Sequence, residues 1–414
     1  MKGRKSTREV KIGIGDRLEV AIDSVAFGGL GVGRVGRLVI FVPFAADGDT
    51  VEIEIASVRR AYATGRICRM LEPSPFRTAA ACSYYGRCGG CQYQHIAYGH
   101  QLEIKRRQVA ETFVRLGRVP DPPVREPIPS PMPYGYRCKA DFHVRLAPGR
   151  PPLVGYKEAA DSRIVPVTRC EIVDESINRS LATLRKDLEN SSPPSGRGGR
   201  QEERVTLWSG AEEAIPGFGR SQAPGNRVLR SVKGKILRVP ATGFFQANST
   251  LVDTMVDAVV QASAPSGAET LLDAYCGSGL FSLFLAPRVE RLFGVEADRE
   301  AIRCAEENLR EEGVPNGEFF AGDVGEWLRA FFLERKNTVD IAVLDPPRIG
   351  CSPDVLDGLL GLNPLRIVYI SCNPATQARD MRRLLDGGYR LTELQPMDMF
   401  PQTKHIEVVG ILER

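Results

Sequence analysis

The sequence lacks an apolar run long enough to cross a membrane. Its longest such run, LVIFVPFAA from Leu38, is short and contains Pro43, whereas a transmembrane helix needs about 20 apolar residues in a row. The basic N-terminal stretch MKGRKSTREVKIG is not followed by the apolar core of a secretory signal. We therefore expect no signal peptide, no membrane partner and a cytoplasmic location.

A strong excess of charge of either sign is also missing. The 414 residues include 55 Lys and Arg against 51 Asp and Glu, a net charge of +4 with His neutral, which permits a nucleic-acid partner without demanding one. Hydrophobic residues make up 43% and charged residues 26%, as in an ordinary globular protein. The length predicts two or three domains, and a monomer is the default expectation.

Residues 8–73 are predicted to form a small all-β domain. The stretches LEVAI (Leu18–Ile22) and VEIEI (Val51–Ile55) alternate apolar and polar residues, which is the period of a half-buried strand. Glycine turns and a continuous apolar strand lie between them, as in a closed OB-like barrel. The barrel carries arginines that form either a solvated face or an RNA-binding surface: Arg34, Arg37, Arg59, Arg60 and Arg66.

Residues 74–246 are predicted to form a small α+β central domain. A Cys-rich segment, 82–91, precedes the helix candidate YGHQLEIKRRQVAETFVRLGRV. Two strand candidates follow, KADFHVRL and RIVPVTRCEIV. The run NSSPPSGRGGRQEER, residues 190–204, is poor in apolar residues and rich in Ser, Pro, Gly and Arg, so we expect an exposed, mobile loop there.

Residues 247–414 alternate strand and helix patterns. Five apolar runs end in turn or acidic residues and are separated by helical stretches such as REAIRCAEENLREEG; the runs are TLLDAYCGSG, RLFGVEAD, GEFFAGDV, DIAVLDPP and RIVYIS. Two further strands, LTELQPMDMF and HIEVVGILE, close the chain. This alternation predicts a parallel, doubly wound α/β sheet.

A cofactor site is predicted where the first of these strands ends. In DAYCGSGLFS, Gly277 and Gly279 allow the backbone to turn tightly and approach a ligand. Glu296 ends the next strand, where a carboxylate can bind a ribose diol. The third glycine of a dinucleotide-binding loop is absent. This turn, with Asp345 of LDPPR at the end of the fourth strand, resembles S-adenosylmethionine (SAM) methyltransferases, whose ligand has no pyrophosphate.

A cysteine at the end of the fifth strand is predicted to face the same crevice. Cys372 follows RIVYIS and precedes Asn-Pro, an exposed position that suits a reactive thiol better than a structural one. A thiolate can add to C6 of a uracil, which turns C5 into a nucleophile towards a methyl sulfonium, and a base must then remove the C5 proton. FPQTKHIE offers two candidate bases, His405 and Glu407.

Three cysteines lie close together in CSYYGRCGGC. Cys82, Cys88 and Cys91 are spaced as C-x5-C-x2-C, which suggests three thiolate ligands in need of a fourth. Cys170 is the best candidate, with Cys68 and Cys138 as competitors. Zinc and an iron–sulfur cluster both accept four thiolates, and the spacing does not separate them.

Four motifs resemble one known family. SCNPATQARD, LDPPRIG, FFQANS and FPQTKHIE are similar to motifs of the uracil-C5 RNA methyltransferases, the group that holds the 23S rRNA and tRNA 5-methyluridine enzymes. Residues 10–73 resemble a TRAM domain, so the resemblance covers nearly the whole chain. It implies a multidomain protein with a TRAM barrel, a central domain and a Rossmann-like SAM methyltransferase domain.

The resemblance also implies roles for individual residues. Cys372 is implied as the nucleophile and Glu407 as the base. Residues implied to contact SAM are Gln246, Tyr275, Gly277, Gly279, Leu280, Glu296, Asp323 and Asp345. The cysteines Cys82, Cys88, Cys91 and Cys170 are implied to hold a 4Fe-4S cluster in a structural role. The chain departs from the family at Leu280 and Cys138, where relatives often carry Asn; Tyr136, Arg137 and Lys139 are candidate RNA contacts.

The predicted activity is methylation of C5 of a uridine in RNA. The TRAM domain and the cysteine cluster favour 23S rRNA over tRNA as substrate, because similar tRNA enzymes commonly lack both. The target base must be flipped out or lie in a single-stranded loop. One alternative is a non-catalytic RNA-binding or folding factor. A cytosine-C5 methyltransferase, the other alternative, would place Pro or Thr before the thiol, where this chain has Ser371.

Overall fold

The structure is a computed structural model that describes residues 12–147, 150–159, 161–190, 201–210, 226–334 and 338–414, with only the backbone at 201 and 332–334. The described chain divides into two compact units. The first contains residues up to 108 together with 402–404, and the second contains residues 109–401 and 405–414.

The first unit is built on a closed five-stranded barrel, which confirms the predicted OB-like fold. Its strands follow one another around the barrel in the order β1-β2-β3-β5-β4. They are β1 (Arg17–Val25), β2 (Leu30–Val35), β3 (Leu38–Pro43), β4 (Thr50–Val58) and β5 (Tyr62–Glu72). A Cβ at Gly33 would lie 2.3 Å from Val20, so glycine lets two strands pack closely there. Residues 8–11 of the predicted domain lie outside the described ones.

The Cys-rich segment and the start of α1 (Tyr98–Thr112) complete the first unit. Tyr93, Ile96 and Ile104 pack with Val25 and Ala46 in a small apolar cluster. A bidentate pair joins Arg77 to the buried Asp49, with Nε–Oδ1 and Nη2–Oδ2 distances of 2.7 Å.

The second unit begins with elements that lie outside the large sheet. The predicted helix ends in a π-helical turn, Phe113–Gly117. A four-stranded sheet follows in the order β8-β7-β6-β9, with β6 (Lys139–Ala147), β7 (Arg150–Lys157), β8 (Ile164–Pro166) and β9 (Gln201–Trp208). The helix α2 (Glu175–Asn190) and the hairpin of β10 (Arg227–Val232) and β11 (Lys235–Pro240) complete this part.

Two predictions for this part differ from the structure. Only Ile164–Pro166 of RIVPVTRCEIV forms a strand, and one further backbone hydrogen bond follows it, from the Val167 N–H to the Val154 carbonyl (3.1 Å). Of the predicted loop 190–204, residues 191–200 lie outside the described ones, whereas residues 201–204 belong to β9 and pair with β6.

A seven-stranded sheet forms the centre of the second unit, in the order β14-β13-β12-β15-β16-β18-β17. Its strands are β12 (Thr270–Ala274), β13 (Arg291–Glu296), β14 (Gly317–Ala321), β15 (Ile341–Leu344), β16 (Arg366–Ser371), β17 (Arg390–Met397) and β18 (Glu407–Glu413). The first five are parallel, whereas β18 lies antiparallel between β16 and β17. The predicted α/β fold is confirmed.

Helices pack against this sheet, and apolar cores fill the space between them. They are α3 (Val252–Ser263), α4 (Ser282–Leu285), α5 (Arg299–Glu311), α6 (Val324–Glu334), α7 (Pro353–Leu362) and α8 (Pro374–Asp386). Strand order reverses between β12 and β15, so a crevice is expected outside the carboxyl ends of these strands. None of the helices in the described ranges is long and apolar enough to span a membrane.

Candidate active site

The turn after β12 has the backbone conformation of a ligand cradle. Tyr275, Gly277 and Gly279 adopt positive φ values of 63°, 53° and 78°. A Cβ at Gly279 would lie 3.0 Å from the Cβ of Ala305 on α5, while nothing lies within 4 Å of the Cβ position of Gly277. The turn therefore needs glycine for its path at one position and leaves open space at the other.

Buried polar groups surround this turn. Glu296 accepts a hydrogen bond from the Gly277 N–H (3.3 Å) through Oε2. Asp273 is fully buried and accepts from Ser282 Oγ (2.5 Å) through Oδ2, and burial raises the pKa of Asp273 to about 7. Within the described residues, Asp273 Oδ1 and Ser278 Oγ are buried without a hydrogen-bond partner. Such atoms suit a polar ligand, so the cradle fits the amino acid and ribose groups of SAM.

We expect Gly279→Val to weaken SAM binding about 10- to 100-fold, because a side chain at positive φ strains the turn and meets α5. Calorimetric titration with S-adenosylhomocysteine would measure this loss. The matched control is Gly267→Val, since Gly267 has a φ of 109° with nothing within 4 Å. Equal weakening in both variants would contradict the assigned role of the turn.

Asp345 and Gln246 meet at the end of β15. Gln246 Nε2 donates to Asp345 Oδ2 (3.3 Å), and the Gln246 side chain is only 3% exposed. Burial, together with the carboxylates of Asp273 and Glu296, raises the pKa of Asp345 to about 7. This side of the crevice therefore presents a carboxyl group whose charge is sensitive to a neighbouring cation.

The remaining predicted SAM contacts, Leu280, Asp323 and Tyr275, differ in their burial and in their hydrogen bonds. Leu280 is 8% exposed and packs in the core behind the turn, so it supplies apolar contact and no hydrogen bond. Asp323 is exposed after β14 and accepts from the Glu326 N–H (3.0 Å) at the start of α6. The Tyr275 hydroxyl hydrogen-bonds to the Cys351 thiol.

The structure brings Cys372 and Glu407 together across two strands. Cys372 directly follows β16, and Glu407 begins β18. The last pair of the antiparallel ladder is Ser371 with Val408, so Cys372 and Glu407 are the residues that follow directly beyond this pair. Asn373 caps α8 with its side chain (Oδ1 to Ala375 N, 3.2 Å), which leaves the thiol at a helix N-terminus.

His405, the other candidate base, lies outside this strand pair. Its ring makes an edge contact with Phe400 at a centroid distance of 5.9 Å. The residue between it and Glu407, Ile406, is fully buried.

The charges around the thiol set its protonation. Burial and the Glu407 carboxylate raise the pKa of Cys372 to about 11, and a hydrogen bond from Arg348 acts in the opposite direction. Burial and Asp345 raise the pKa of Glu407 well above its usual value, again opposed by Arg348. Glu407 is therefore a strong base when ionised, and Arg348 is the one described cation that lowers the pKa of both groups.

These shifts predict how methyl transfer depends on pH. Glu407 must be ionised to accept a proton, and its raised pKa means that the rate falls on acidification at a higher pH than an exposed Glu would give. Toward alkaline pH the rate should keep rising, because the Cys372 thiolate becomes abundant only near its pKa of about 11. Single-turnover rates measured over a pH series would test both the fall on acidification and the rise toward alkaline pH. A rate that stays constant across the neutral range would contradict the roles given to Glu407 and Cys372.

Sequence reasoning missed Arg348, Asp273 and Ser278 as site residues. Arg348 stood in the DPPR motif and Ser278 between the two glycines, so the signal was present without a role attached. The candidate RNA contact Tyr136 was wrong: its side chain is fully buried, and its hydroxyl donates to the Pro401 carbonyl (3.0 Å).

The cysteine cluster is not supported as a metal site by the structure. Among the described residues, no group of three or more His, Cys, Asp or Glu side chains is arranged to hold a metal ion. Cys88 Sγ accepts a hydrogen bond from the Gly90 N–H (3.4 Å). Of the competing fourth ligands, Cys138 is fully buried and donates to the Gln246 carbonyl (3.3 Å), whereas Cys68 is exposed on the barrel.

The barrel, the sheet and the crevice are those expected of a methyltransferase with an added OB-like barrel, and comparison with known proteins agrees. The TRAM domain family matches residues 13–68, and the tRNA (Uracil-5-)-methyltransferase family matches residues 229–414. An uncharacterized RNA methyltransferase of Gloeobacter violaceus is 34% identical over 97% of each chain. Another, of Halalkalibacterium halodurans, is 32% identical over 99% of each chain.

A solved structure shares the fold. Pyrococcus abyssi tRNA (uracil-54, C5)-methyltransferase in complex with S-adenosyl-L-homocysteine superposes with a TM-score of 0.68 at 23% identity, covering 95% of this chain and 100% of that one. The chain belongs to the SAM-dependent uracil-C5 RNA methyltransferase family, and it is a transferase that acts on RNA.

Proposed function

We propose that the protein methylates C5 of a specific uridine in 23S rRNA, with Cys372 as nucleophile and Glu407 as base. The observation that carries this proposal is the adjacency of the thiol and the buried carboxylate on neighbouring strands at the end of the sheet. A thiol and an acid so placed are what addition to C6 and removal of the C5 proton require.

The reaction balances over three steps. The Cys372 thiolate forms a bond to C6, and the electrons of the C5–C6 double bond move to C5 and the C4 carbonyl. C5 would then take the methyl group of the SAM sulfonium, whose carbon–sulfur bond breaks so that S-adenosylhomocysteine is the leaving group. Glu407 then accepts the C5 proton, the double bond reforms, and the bond between sulfur and C6 breaks to return the thiolate.

The cofactor cradle is proposed to position the methyl donor. In this proposal the backbone of Gly277 and Gly279 approaches SAM, and Glu296 accepts hydrogen bonds from its ribose hydroxyls. Gln246 and Asp345 face the charged end of SAM. The hydrogen bond from Gly277 to Glu296 and the unpartnered buried atoms Asp273 Oδ1 and Ser278 Oγ support this assignment. Tyr275, Leu280 and Asp323 complete the proposed set.

The barrel is proposed to bind RNA. Arg34, Arg37, Arg59 and Arg60 are exposed, and none of the four forms an ion pair within the described residues. Arg66 is also exposed but pairs with Glu54 (3.2 Å). Free arginines on an OB-like surface suit phosphate contacts, and the target uridine would flip into the crevice.

A uridine in tRNA is the second candidate substrate. The matching family is the tRNA (Uracil-5-)-methyltransferases, and the P. abyssi enzyme that shares the fold is a tRNA (uracil-54, C5)-methyltransferase. The preference for 23S rRNA comes from the sequence, which carries a TRAM domain and a cysteine cluster that similar tRNA enzymes commonly lack. A non-catalytic RNA-binding factor would have no need for the thiol and the acid that are brought together.

The deciding experiment incubates anaerobically purified full-length protein with SAM and the cell's own unmodified RNA. Ribosomal RNA and tRNA are separated and digested, and 5-methyluridine is quantified by mass spectrometry. New 5-methyluridine in 23S rRNA supports the proposal, and its appearance only in tRNA keeps the chemistry and replaces the substrate. No 5-methyluridine despite SAM binding would favour the RNA-binding alternative.

We also propose, from the resemblance to the family, that Cys82, Cys88, Cys91 and Cys170 hold a 4Fe-4S cluster, with zinc as the less favoured occupant. Its role would be structural, and no step of methyl transfer passes through it. Iron, sulfide and zinc analysis of the anaerobic protein tests this, with Cys88→Ser expected to lose the metal and Cys68→Ser expected to keep it. The cytoplasmic location and the monomeric state stay predictions.

A further inference from the structure

The loop between β15 and α7 carries Arg348 and is held by one helix. In this loop, residues 345–351, the carbonyl of Arg348 accepts hydrogen bonds from Asn373 Nδ2 (3.0 Å) and Thr376 Oγ1 (3.2 Å). The carbonyl of Ile349 accepts from Arg379 Nη2 (2.9 Å). All three donors lie on α8 or its N-cap, the helix that starts beside the nucleophilic thiol.

Asp380 of α8 is the buried centre of this contact. Its side chain is 1% exposed. Oδ2 accepts from the Cys351 N–H (2.8 Å) and from the Tyr369 hydroxyl (2.7 Å), and Oδ1 accepts from Arg379 Nε (2.7 Å). Three donors from three different elements therefore converge on one carboxylate, which compensates for its burial.

The loop backbone is shaped around this carboxylate. Gly350 has a φ of 82°, and a Cβ there would lie 2.4 Å from Asp380 Oδ2. Gly350 N also donates to the Pro347 carbonyl (2.8 Å), which closes a turn that has Arg348 at one of its two central positions. A bulkier residue or a shifted carboxylate would move the turn, and with it the Arg348 side chain.

Arg348 is the loop residue whose charge acts on the Cys372 thiol. Its guanidinium lowers the pKa of the thiol, whereas the Glu407 and Asp345 carboxylates raise it. Both of these are acidic and oppose the thiolate, so the thiolate depends on Arg348 being held in place.

We propose that Asp380 is a positioning residue that fixes the loop 345–351 so that Arg348 reaches the Cys372 thiol. This inference rests on the proposed function of Cys372 as nucleophile. If Asp380 served only to join α8 to the loop, its loss would lower the amount of folded protein and leave the reactivity of the thiol unchanged. A positioning role changes the reactivity in the folded protein.

The experiment compares full-length Asp380→Asn and Arg348→Gln, their double variant, and Asp386→Asn as a matched control. Asp386 lies on the same helix in an exposed pair with Arg382. The alkylation rate of Cys372 by iodoacetamide, resolved by peptide mass spectrometry, is followed from neutral to alkaline pH. This readout requires neither RNA nor SAM. Turnover is measured in parallel as 5-methyluridine formed.

We expect Asp380→Asn to move the alkylation profile of Cys372 to more alkaline pH, because the thiolate loses its cation. Turnover should fall about 10- to 100-fold, the range expected from a displacement of about 1 Å, with KM for SAM changed less than about twofold. Arg348→Gln should shift the profile in the same direction, and the double variant should shift it no further. Asp386→Asn should match the wild type.

An unchanged alkylation profile in folded Asp380→Asn, or additive shifts in the double variant, would overturn the inference. If Asp380→Asn does not fold, Arg379→Ala takes its place, since the Arg379 side chain is 54% exposed and its loss should still shift the profile in the same direction. An unshifted profile in Arg379→Ala would also overturn the inference. Absence of 5-methyluridine with the wild type would defeat the proposed function, while the alkylation profiles would still test the role of Asp380.

Discussion

Replacing Cys372 by Ala should abolish both methyl transfer and the covalent RNA–protein adduct. The Cys372 thiol lies near enough to the Glu407 carboxylate for that charge to raise its pKa, and without the thiol C5 of the uracil stays unreactive toward the sulfonium. We expect a loss on the order of 10⁴-fold or more, since nucleophile and base act as a unit. Quantified 5-methyluridine and a denaturation-resistant complex on gels measure the two effects.

The control for this variant is Cys68→Ala, which removes an exposed thiol on the barrel and should leave both readouts within about twofold of the wild type, as surface substitutions usually do. S-adenosylhomocysteine should bind Cys372→Ala as it binds the wild type, because the cofactor cradle is built by other residues. Residual turnover near the wild-type rate would show that another group attacks the base.

Replacing Glu407 by Gln should have the opposite effect on the adduct. The Glu407 carboxylate raises the pKa of Cys372, so its removal makes the thiolate easier to form and leaves addition to C6 intact. The C5 proton then has no acceptor, and the methylated adduct accumulates. We expect turnover to fall about 10²- to 10⁴-fold, the usual contribution of a positioned base, while label from methyl-labelled SAM stays on a protein–RNA complex.

The matched control is Glu413→Gln, at the other end of β18, where Glu413 forms a partly exposed pair with Arg366 (2.6 Å). It should turn over normally without trapped adduct. Loss of turnover in Glu407→Gln without any accumulated complex would assign Glu407 to an earlier step, and normal turnover would exclude it as the base.

The parallel part of the sheet could be predicted from the sequence because its signals are local. Each of β12 to β16 is a short apolar run that ends in turn residues, and the carboxyl ends of parallel strands meet at one edge. That rule alone brings Tyr275, Asp345 and Cys372 to the same crevice. The glycine turn could be predicted equally well, because glycine is the residue that readily adopts the positive φ seen at Gly277 and Gly279.

Contacts between distant segments could not be predicted in this way. The proximity of Glu407 to Cys372 depends on β18 inserting antiparallel between β16 and β17, and no local pattern encodes that order. The burial of Tyr136 depends on a hydrogen bond to Pro401, far along the chain. Asp380 has the sequence pattern of an ordinary polar residue of an amphipathic helix, and the donors Cys351 N–H and Tyr369 hydroxyl reach it only through packing of the helix against the loop and β16.

The ladder between β16 and β18 also restricts how the segment before Glu407 can change length. Side chains alternate between the two faces of a sheet, so a shift of one residue in the pairing of Ser371 with Val408 would carry Glu407 to the opposite face and bring an apolar neighbour beside the thiol. An insertion or deletion of one residue before Glu407 would keep every strand but remove the base from the thiol. The protein would then form the covalent adduct with RNA and fail to release it.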